Sequence, residues 1–218
     1  MAIKGIAAQT TSVVRSGEGD DKILRLMRDG SVPTFDWKQS LALEGKVYLM
    51  QLGTEDAPIH ATTSIDDQLV SGVIDVPDGA VAIPLFAQCV IALWSAADLL
   101  NFMIEVDNGK VRYSSGGTAW TPLNFHTGKA DNSGCKCYVG ADVTVAAKTS
   151  GGSLEVYRES IEVNVGDAAD YWPKMEYIPV VCPVVEGPGS ILYHIGSTNG
   201  DASFYGNIVW AALRKGEV

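Results

Sequence analysis

The end of the sequence, from residue 186 to residue 212, constrains the fold most. A Gly-Pro-Gly turn precedes an apolar run over 190–195, a polar loop rich in Gly, Asn and Asp follows, and a second apolar run begins at Phe204. Side chains alternate between the two faces of a strand, so every second residue of the final run shares one face. These residues are Phe204, Gly206, Ile208, Trp210 and Ala212. The pattern predicts two strands that close a β-core, as in a β-sandwich or jelly roll.

Similar patterns recur along the rest of the chain. Residues 47–52 and 70–76 form predicted strands, and the second is followed by Pro-Asp-Gly, a turn in which Pro presets φ and Gly accepts a positive φ. Apolar and polar residues also alternate over 142–145 and 160–165. The spacing of turn residues predicts about nine or ten strands, and therefore an all-β sandwich.

Two segments have more specific interpretations. Residues 102–106 and 110–113 flank Asp107-Asn108-Gly109 and predict a β-hairpin, because Asn-Gly accepts the positive φ values of a type I′ turn. The most apolar run covers residues 80–97. It predicts one or two buried strands, or a strand that turns into a short helix near residues 96–102.

The chain length fits one domain with an arm. All-β sandwiches reach 218 residues as single domains. We expect residues 21–218 to form one jelly-roll β-sandwich domain and residues 1–20, which are polar and glycine-rich, to form an extended N-terminal arm. Asp20 or Asp21 is a candidate cap for a short helix over 22–28, and a strand there is the alternative.

The charge balance narrows the range of partners. The formal net charge is −10, from 16 Lys and Arg against 26 Asp and Glu. Such a charge repels phosphate backbones and anionic lipids, so we expect no direct nucleic-acid partner and no membrane partner. Pro84, Gln88 and Ser95 interrupt the apolar run of 80–97, which is therefore a poor membrane span. Residues 1–12 lack the apolar core of a secretory signal, which predicts synthesis in the cytoplasm.

The four cysteines predict free thiols. Cys89 and Cys182 lie in apolar segments and are expected in the core. Cys135 and Cys137 form a Cys-x-Cys motif about ten residues after His126. On a strand both sulfurs would share one face, and the imidazole would be a third ligand, which suggests a metal site. Structural zinc usually uses wider Cys spacing and four ligands, and no fourth ligand is evident. We therefore expect thiols in a reducing compartment, with no metal and no cofactor.

Catalytic motifs are weak, and we predict no enzymatic activity and no catalytic residue. Cupin-type jelly-roll enzymes need clustered histidines, whereas His60, His126 and His194 are widely separated. We expect His194 on the outer face of its strand and the other two in loops. The carboxylate pairs Asp20/Asp21 and Asp66/Asp67 could suggest acid–base catalysis or cation binding. Adjacent carboxylates on a strand point in opposite directions, and those in loops are usually solvated, so neither pair is interpreted as a site.

The tryptophans allow two interpretations. Trp94 and Trp210 lie in apolar segments and are predicted core residues. Trp120 and Trp172 lie beside prolines in predicted loops. They are candidates for packing between subunits, which often uses aromatic side chains, or for a platform that stacks against sugars. Subunit packing is the favoured interpretation.

One segment carries a family resemblance. Residues 116–125, Gly-Gly-Thr-Ala-Trp-Thr-Pro-Leu-Asn-Phe, resemble a recurrent element of jelly-roll virion proteins of tailed bacteriophages. The small polar residues of 128–134, the turn and strand over 187–193 and the last strand over 204–210 also match this family. Residues 12–20 are similar to its N-terminal arm. The Cys-x-Cys motif departs from the pattern.

This resemblance implies a structural role in a virion. The family leads us to expect a capsid decoration, or cement, protein: a homotrimer that binds the major capsid protein on the capsid exterior, with the arm between neighbours. A major capsid jelly roll and a head-fibre or tail component are alternatives within the same class. A glycan-binding β-sandwich, or a glycan-active enzyme of that fold, is the alternative from another class.

Overall fold

The protein is an all-β sandwich, as the sequence predicts. The structure, a computed structural model, describes residues 36–148, 150–164 and 172–216. Its elements are α1 (Trp37–Leu43), β1 (Val47–Leu52), β2 (Ile59–His60), β3 (Leu69–Val76), β4 (Ala80–Leu93), β5 (Asp98–Asn108), β6 (Tyr113–Ser115), β7 (Thr118–Trp120), β8 (Leu123–Asn124), β9 (Lys136–Val145), β10 (Ser153–Val163), β11 (Lys174–Tyr177), β12 (Val185–Glu186), β13 (Gly189–Ser197) and β14 (Ser203–Arg214). The predicted arm (1–20) and the segment 22–28 lie outside the described residues.

Eight of the strands form a jelly roll. The first sheet has the order β11-β4-β14-β1, and the second has the order β10-β5-β13-β3. Within these eight strands the first pairs with the last (β1 with β14), the second with the seventh (β3 with β13), the third with the sixth (β4 with β11) and the fourth with the fifth (β5 with β10). All four pairs are antiparallel. This nested arrangement is a long hairpin folded over itself, which is the jelly-roll connectivity.

Four further strands, β6 to β9, extend this framework at one side. β9 pairs with β3 at the edge of the second sheet and itself carries β6 and β7. β8 extends the first sheet beside β1. At the other side of the sandwich, β10 and β11 are the edge strands of the two sheets.

The core lies between the two sheets. Phe204, Ile208 and Trp210 of β14 are fully buried on its inner face, as their alternation predicts. Gly206 lies between them, opposite Tyr193 of β13. The Tyr193 hydroxyl passes Gly206 and donates a hydrogen bond of 2.7 Å to the backbone carbonyl of Gln88 on β4, which joins the two sheets. The two closing strands therefore belong to different sheets.

Helix α1 covers part of the outer face of the first sheet. Its N-cap is Asp36, whose carboxylate accepts a hydrogen bond from the Lys38 backbone N–H at 3.2 Å. Leu41 and Ala42 of the helix pack against a second apolar cluster on the sheet. The buried members of this cluster are Val47, Val81, Ile83, Leu85, Val209 and Ala211.

The predicted hairpin over residues 102–113 is wrong. β5 extends from Asp98 to Asn108, and its two edges are occupied by β10 and β13. Residues 110–113 have no free edge of β5 with which to pair, and Tyr113 pairs instead with Val145 of β9. Gly109 still adopts a positive φ of 121°, and its N–H donates to the carbonyl of Pro188 at 2.9 Å.

The helix considered near residues 96–102 is also wrong. One strand, β4, extends to Leu93, and β5 begins at Asp98. Leu100 and Phe102 belong to an alternating series that faces the core and continues through Ile104 and Val106. Burial of this face in the sandwich favours a strand over the helical alternative.

Candidate functional site

A charge-free loop stands out on the surface beside the edge strand β11. We call residues 178–184, Ile-Pro-Val-Val-Cys-Pro-Val, the edge loop. Val180 is fully exposed, Val181 is 85% exposed and Ile178 is 66% exposed. Isolated apolar side chains are common on protein surfaces, but adjacent ones form a patch typical of interaction sites.

Two prolines explain why this loop leaves the sheet. Pro179 and Pro183 lack the N–H that a ladder position requires. No backbone–backbone hydrogen bond joins residues 178–184 to the rest of the described chain. Pairing resumes at Val185, which lies opposite Ala82 of β4. The prediction that Cys182 is a core residue is wrong, because Cys182 is only half-buried and packs against the apolar cluster on the outer face of the first sheet.

A groove runs beside the edge loop. It has a volume of about 800 Å³ and lies between β10 on one side and β11 with the edge loop on the other. We call it the edge groove. The residues that line it are Leu154, Val156, Tyr157, Glu159, Lys174, Glu176, Tyr177, Ile178, Pro179, Val180, Val181 and Pro183.

Aromatic side chains connect the groove to the core. The rings of Phe102 and Tyr157 have centroids 5.4 Å apart in an edge-to-face arrangement, and those of Tyr157 and Tyr177 are 5.5 Å apart. Tyr157 donates a short hydrogen bond to Glu159. Burial raises the pKa of both tyrosines, and the nearby Glu159 raises that of Tyr157 further. Both hydroxyls are therefore protonated and uncharged at neutral pH.

Three charged residues line the groove beside these tyrosines. Lys174 Nζ is 3.0 Å from Glu176 Oε1, and the Glu159 carboxylate accepts the hydrogen bond of the Tyr157 hydroxyl.

The edge strand β10 also carries an ion pair outside the groove lining. Arg158 Nη2 is 2.6 Å from Glu155 Oε2, next to a β-bulge between Glu155 and Tyr157. Charges and bulges of this kind protect an edge strand from pairing with another strand.

A buried polar cluster lies on the outer face of the second sheet. The Arg112 side chain is completely buried; its Nη1 is 2.6 Å from Glu105 Oε1 and 3.5 Å from Asp107 Oδ2. Its Nε donates to the carbonyl of Ala146 at 2.9 Å, and its Nη2 donates a short bond to the carbonyl of Asp67. Arg112 therefore fastens two connecting segments to the sheet.

Further groups complete this cluster. Asp75 accepts hydrogen bonds from the Ser190 hydroxyl at 2.6 Å and from the Arg112 backbone N–H at 3.1 Å, and burial raises its pKa. His194 Nε2 lies 4.0 Å from Glu105 Oε2. Burial lowers the pKa of His194 to about 4, with a further lowering by the charge of Arg112. Nothing in the sequence around Arg112 distinguishes it from a surface arginine in a loop.

The three histidines have separate surroundings. His194 is on the outer face of β13, as predicted, but it is buried there. His60 lies in β2, not in a loop, and its Nδ1 is 3.1 Å from the Ser203 hydroxyl. His126 follows β8, and its Nδ1 accepts from the Gly128 N–H at 3.2 Å. Within the described ranges, no group of three or more His, Cys, Asp or Glu residues is placed to hold a metal ion.

All four cysteines are free thiols. Cys89, Cys135 and Cys137 are buried in the main core. Burial raises the pKa of Cys135 to about 11 and raises those of Cys89 and Cys137 as well. Such thiols are poor nucleophiles and poor metal ligands at neutral pH.

The candidate tryptophans Trp120 and Trp172 lie in different parts of the fold. Trp120 is in β7, opposite Cys137, and packs against the core, so the prediction of a loop is wrong for this residue. Trp172 lies outside the strands, and its ring centroid is 6.2 Å from that of Tyr205 on β14.

The carboxylates of the Asp66/Asp67 pair have separate partners. Asp67 forms an ion pair with Lys148 at 3.0 Å, and Asp66 accepts a hydrogen bond from the Gln68 N–H at 2.7 Å. Asp20 and Asp21 lie outside the described residues.

Across the part of the chain that the structure describes, no helix is long and apolar enough to cross a membrane. Compared with models of known protein families and with curated proteins, the sequence gives no match.

Proposed function

We propose that the protein is a structural component of a virion that works by self-association, as a homotrimeric capsid decoration protein bound to the major capsid protein. The observation that carries this proposal is the exposed apolar edge loop. Burial of one Val, Leu or Ile side chain contributes about 1.5–3 kcal/mol. Ile178, Val180 and Val181 therefore favour association strongly when a partner covers them.

The fold and the charge support the same proposal. A jelly roll presents loops and edges on a rigid body, and many weak contacts on a repetitive lattice add up through avidity. The net charge of −10 keeps such copies soluble until short-range apolar contacts form. The resemblance of residues 116–125 and 204–210 to phage virion proteins connects the self-association to a capsid.

The first test is the mass of the purified full chain in solution. Light scattering after size-exclusion chromatography should give about three times the monomer mass of 23.2 kDa. Val180→Asp/Val181→Asp should shift the mass towards that of the monomer, because a charge in the edge loop opposes burial. A wild-type chain that remains monomeric at micromolar concentration contradicts the proposal.

The second test concerns the capsid. Particles purified on a density gradient from the source culture should contain the chain in a fixed ratio to the major capsid protein, as measured by quantitative mass spectrometry. They should lose it, and resist heating less well, after mild treatment with denaturant. Absence of the chain from purified particles would rule out the virion role and leave self-association standing.

A further inference from the structure

A second cavity lies on the outer face of the second sheet, and we call it the sheet cavity. It has a volume of about 460 Å³ and is bounded by β5, β10 and the connecting segments that carry Asp67 and Lys148. It is on the opposite side of the sandwich from α1 and from Trp172, which both contact the first sheet. We infer that the sheet cavity binds a primary alkylammonium group through the buried carboxylate of Glu105. This site is separate from the edge loop and does not depend on the proposed function.

The charges around the cavity favour a cation. The lining contains three carboxylates and two cations, so its formal charge is −1. These residues are Asp67, Glu105, Glu155, Lys148 and Arg158. Both cations already have partners within the lining: Lys148 Nζ is 3.0 Å from Asp67 Oδ2, and Arg158 Nη2 is 2.6 Å from Glu155 Oε2. Behind the lining, the opposite charges of Arg112 and Asp107 cancel, so the negative charge of the cavity remains.

Two buried polar side chains meet beside the cavity without bonding to each other. Glu105 Oε1 accepts hydrogen bonds from Arg112 Nη1 and from the Ser153 hydroxyl, each at 2.6 Å. Glu105 Oε2 instead faces His194 Nε2 at 4.0 Å, which is too far for a hydrogen bond. Both ring nitrogens of His194 are buried and have no hydrogen-bond partner among the described residues. Because buried polar atoms normally have partners, this arrangement indicates a ligand that brings its own donors.

A primary ammonium group supplies what these two side chains lack. It carries three N–H donors and a full positive charge. A nitrogen at hydrogen-bond distance, about 2.8 Å, from both fits between two atoms that are 4.0 Å apart. His194 can accept such a bond, because burial lowers its pKa to about 4 and the imidazole is neutral at pH 7. The methylene groups beside the nitrogen would contact Ile65 and Met103, which also line the cavity.

Other ligand classes fit the cavity less well. An anion would meet more carboxylates than cations. A metal ion would lack ligands, because no group of three or more His, Cys, Asp or Glu in the described ranges is placed to hold one. A water molecule can bond to the same two atoms, but it leaves the charge of the cavity uncompensated. Water is therefore the alternative that the experiment must separate from an amine.

Titration of the full-length protein with n-butylammonium chloride near neutral pH tests the inference. We expect a saturable shift of the His194 imidazole resonances in proton–carbon correlation spectra, where His194→Asn identifies them by their loss. Tetramethylammonium chloride supplies the charge without N–H donors, and n-butanol supplies the alkyl chain without the charge. Neither should saturate the site. If butylammonium gives no saturable shift, or if either control saturates the site equally well, the cavity holds water only and the inference is wrong.

A matched pair of variants locates the binding. Glu155→Gln removes one carboxylate of the lining and should weaken butylammonium binding roughly fivefold or more, because an attractive charge near the site is lost. Glu162→Gln removes an exposed carboxylate of the same strand outside the lining and should bind as the wild type does. Both substitutions change partly or fully exposed side chains, so the fold is retained. Equal affinities of the two variants would contradict binding in this cavity.

A short peptide with one lysine distinguishes the two sources of such a group. Its Nε-acetylated form, which has no ammonium group, is the control. Binding of the lysine peptide and not of the acetylated one assigns the cavity to a lysine side chain of a protein partner. Binding of butylammonium with no binding of either peptide assigns it to a small free amine. Both results support the inference, whereas equal binding of the two peptides contradicts it.

Discussion

Arg112 and Glu105 form an ion pair in the protein interior. The atoms Nη1 and Oε1 are 2.6 Å apart, and the side chains are 0% and 5% exposed. Asp107, also buried, lies 3.5 Å from the same nitrogen. An ion pair in such surroundings depends on both partners, because a single charge left behind is poorly solvated.

Replacement of Arg112 should therefore destabilise the fold severely. We expect Arg112→Met to lower the free energy of unfolding by about 3–5 kcal/mol, since Glu105 and Asp107 lose the charge that compensates them. Urea denaturation followed by tryptophan fluorescence measures this change. Arg158→Gln is the matched control, because the Arg158–Glu155 pair is about half exposed and should contribute about 1 kcal/mol or less. Equal effects of the two substitutions would contradict this account.

The stability of the protein should fall between pH 6.5 and pH 4 because of His194. Burial lowers the pKa of the folded-state imidazole to about 4, whereas an unfolded histidine has a pKa of about 6.5. The unfolded chain binds more protons in this window, so His194 contributes its full stabilisation above pH 6.5 and loses it as the pH falls. The limiting slope is about 1.4 kcal/mol per pH unit.

The variant His194→Asn isolates this effect. The groups that face the imidazole, Glu105 at 4.0 Å and the charges of Arg112, Arg158 and Asp67, remain in both proteins. Asp75, whose pKa burial raises, contributes with the opposite sign in both. Urea midpoints at several pH values should give a steeper decline for the wild type than for the variant. Parallel profiles would show that His194 does not titrate in this way.

Gly206 should not tolerate a side chain. A Cβ atom at this position would lie 2.2 Å from the Gln88 carbonyl oxygen and 2.5 Å from the Tyr193 hydroxyl. We expect Gly206→Ala to cost roughly 3 kcal/mol, because the backbone of β4 cannot move away without disturbing the sheet. Gly128→Ala is the control: its Cβ would meet only the ring of His126, at 3.3 Å, and should change stability by about 0.5 kcal/mol at most. Thermal unfolding of both variants decides the point.

One thiol should react well before the others. Burial raises the pKa of all four thiols, but Cys182 is only half-buried, whereas Cys89, Cys135 and Cys137 are buried. Titration with a chromogenic disulfide reagent at pH 8 should show one fast thiol in the native protein and four after unfolding in guanidinium. Cys182→Ser should remove the fast phase. Persistence of that phase in the variant would place the reactive thiol elsewhere.

The sequence predicted an all-β fold correctly, but it predicted about nine or ten strands where the described residues contain fourteen, and it did not predict how the strands pair. The alternation over 204–212 predicted correctly which side chains of β14 face the core. The Asn-Gly turn at 108–109 did not produce the expected hairpin, because β10 and β13 occupy both edges of β5. The candidate site was missed for a related reason: the apolar residues of 178–184 suggested a core segment, and only Pro179 and Pro183 signalled that it leaves the sheet.

The amino-acid sequence by itself determined that this protein is built from strands, and which face of each is apolar. Both properties follow from local alternation, which needs no knowledge of distant residues. The tertiary structure decided which strands pair, which apolar segment stays on the surface and which polar residues are buried. Arg112 is buried because the carboxylates of Glu105 and Asp107 on β5 compensate its charge there. Val180 is exposed because it lies in a loop outside both sheets. Such outcomes depend on contacts between residues far apart in the chain. Many strand pairings are compatible with the local sequence, and the packing of the complete sandwich determines which of them forms.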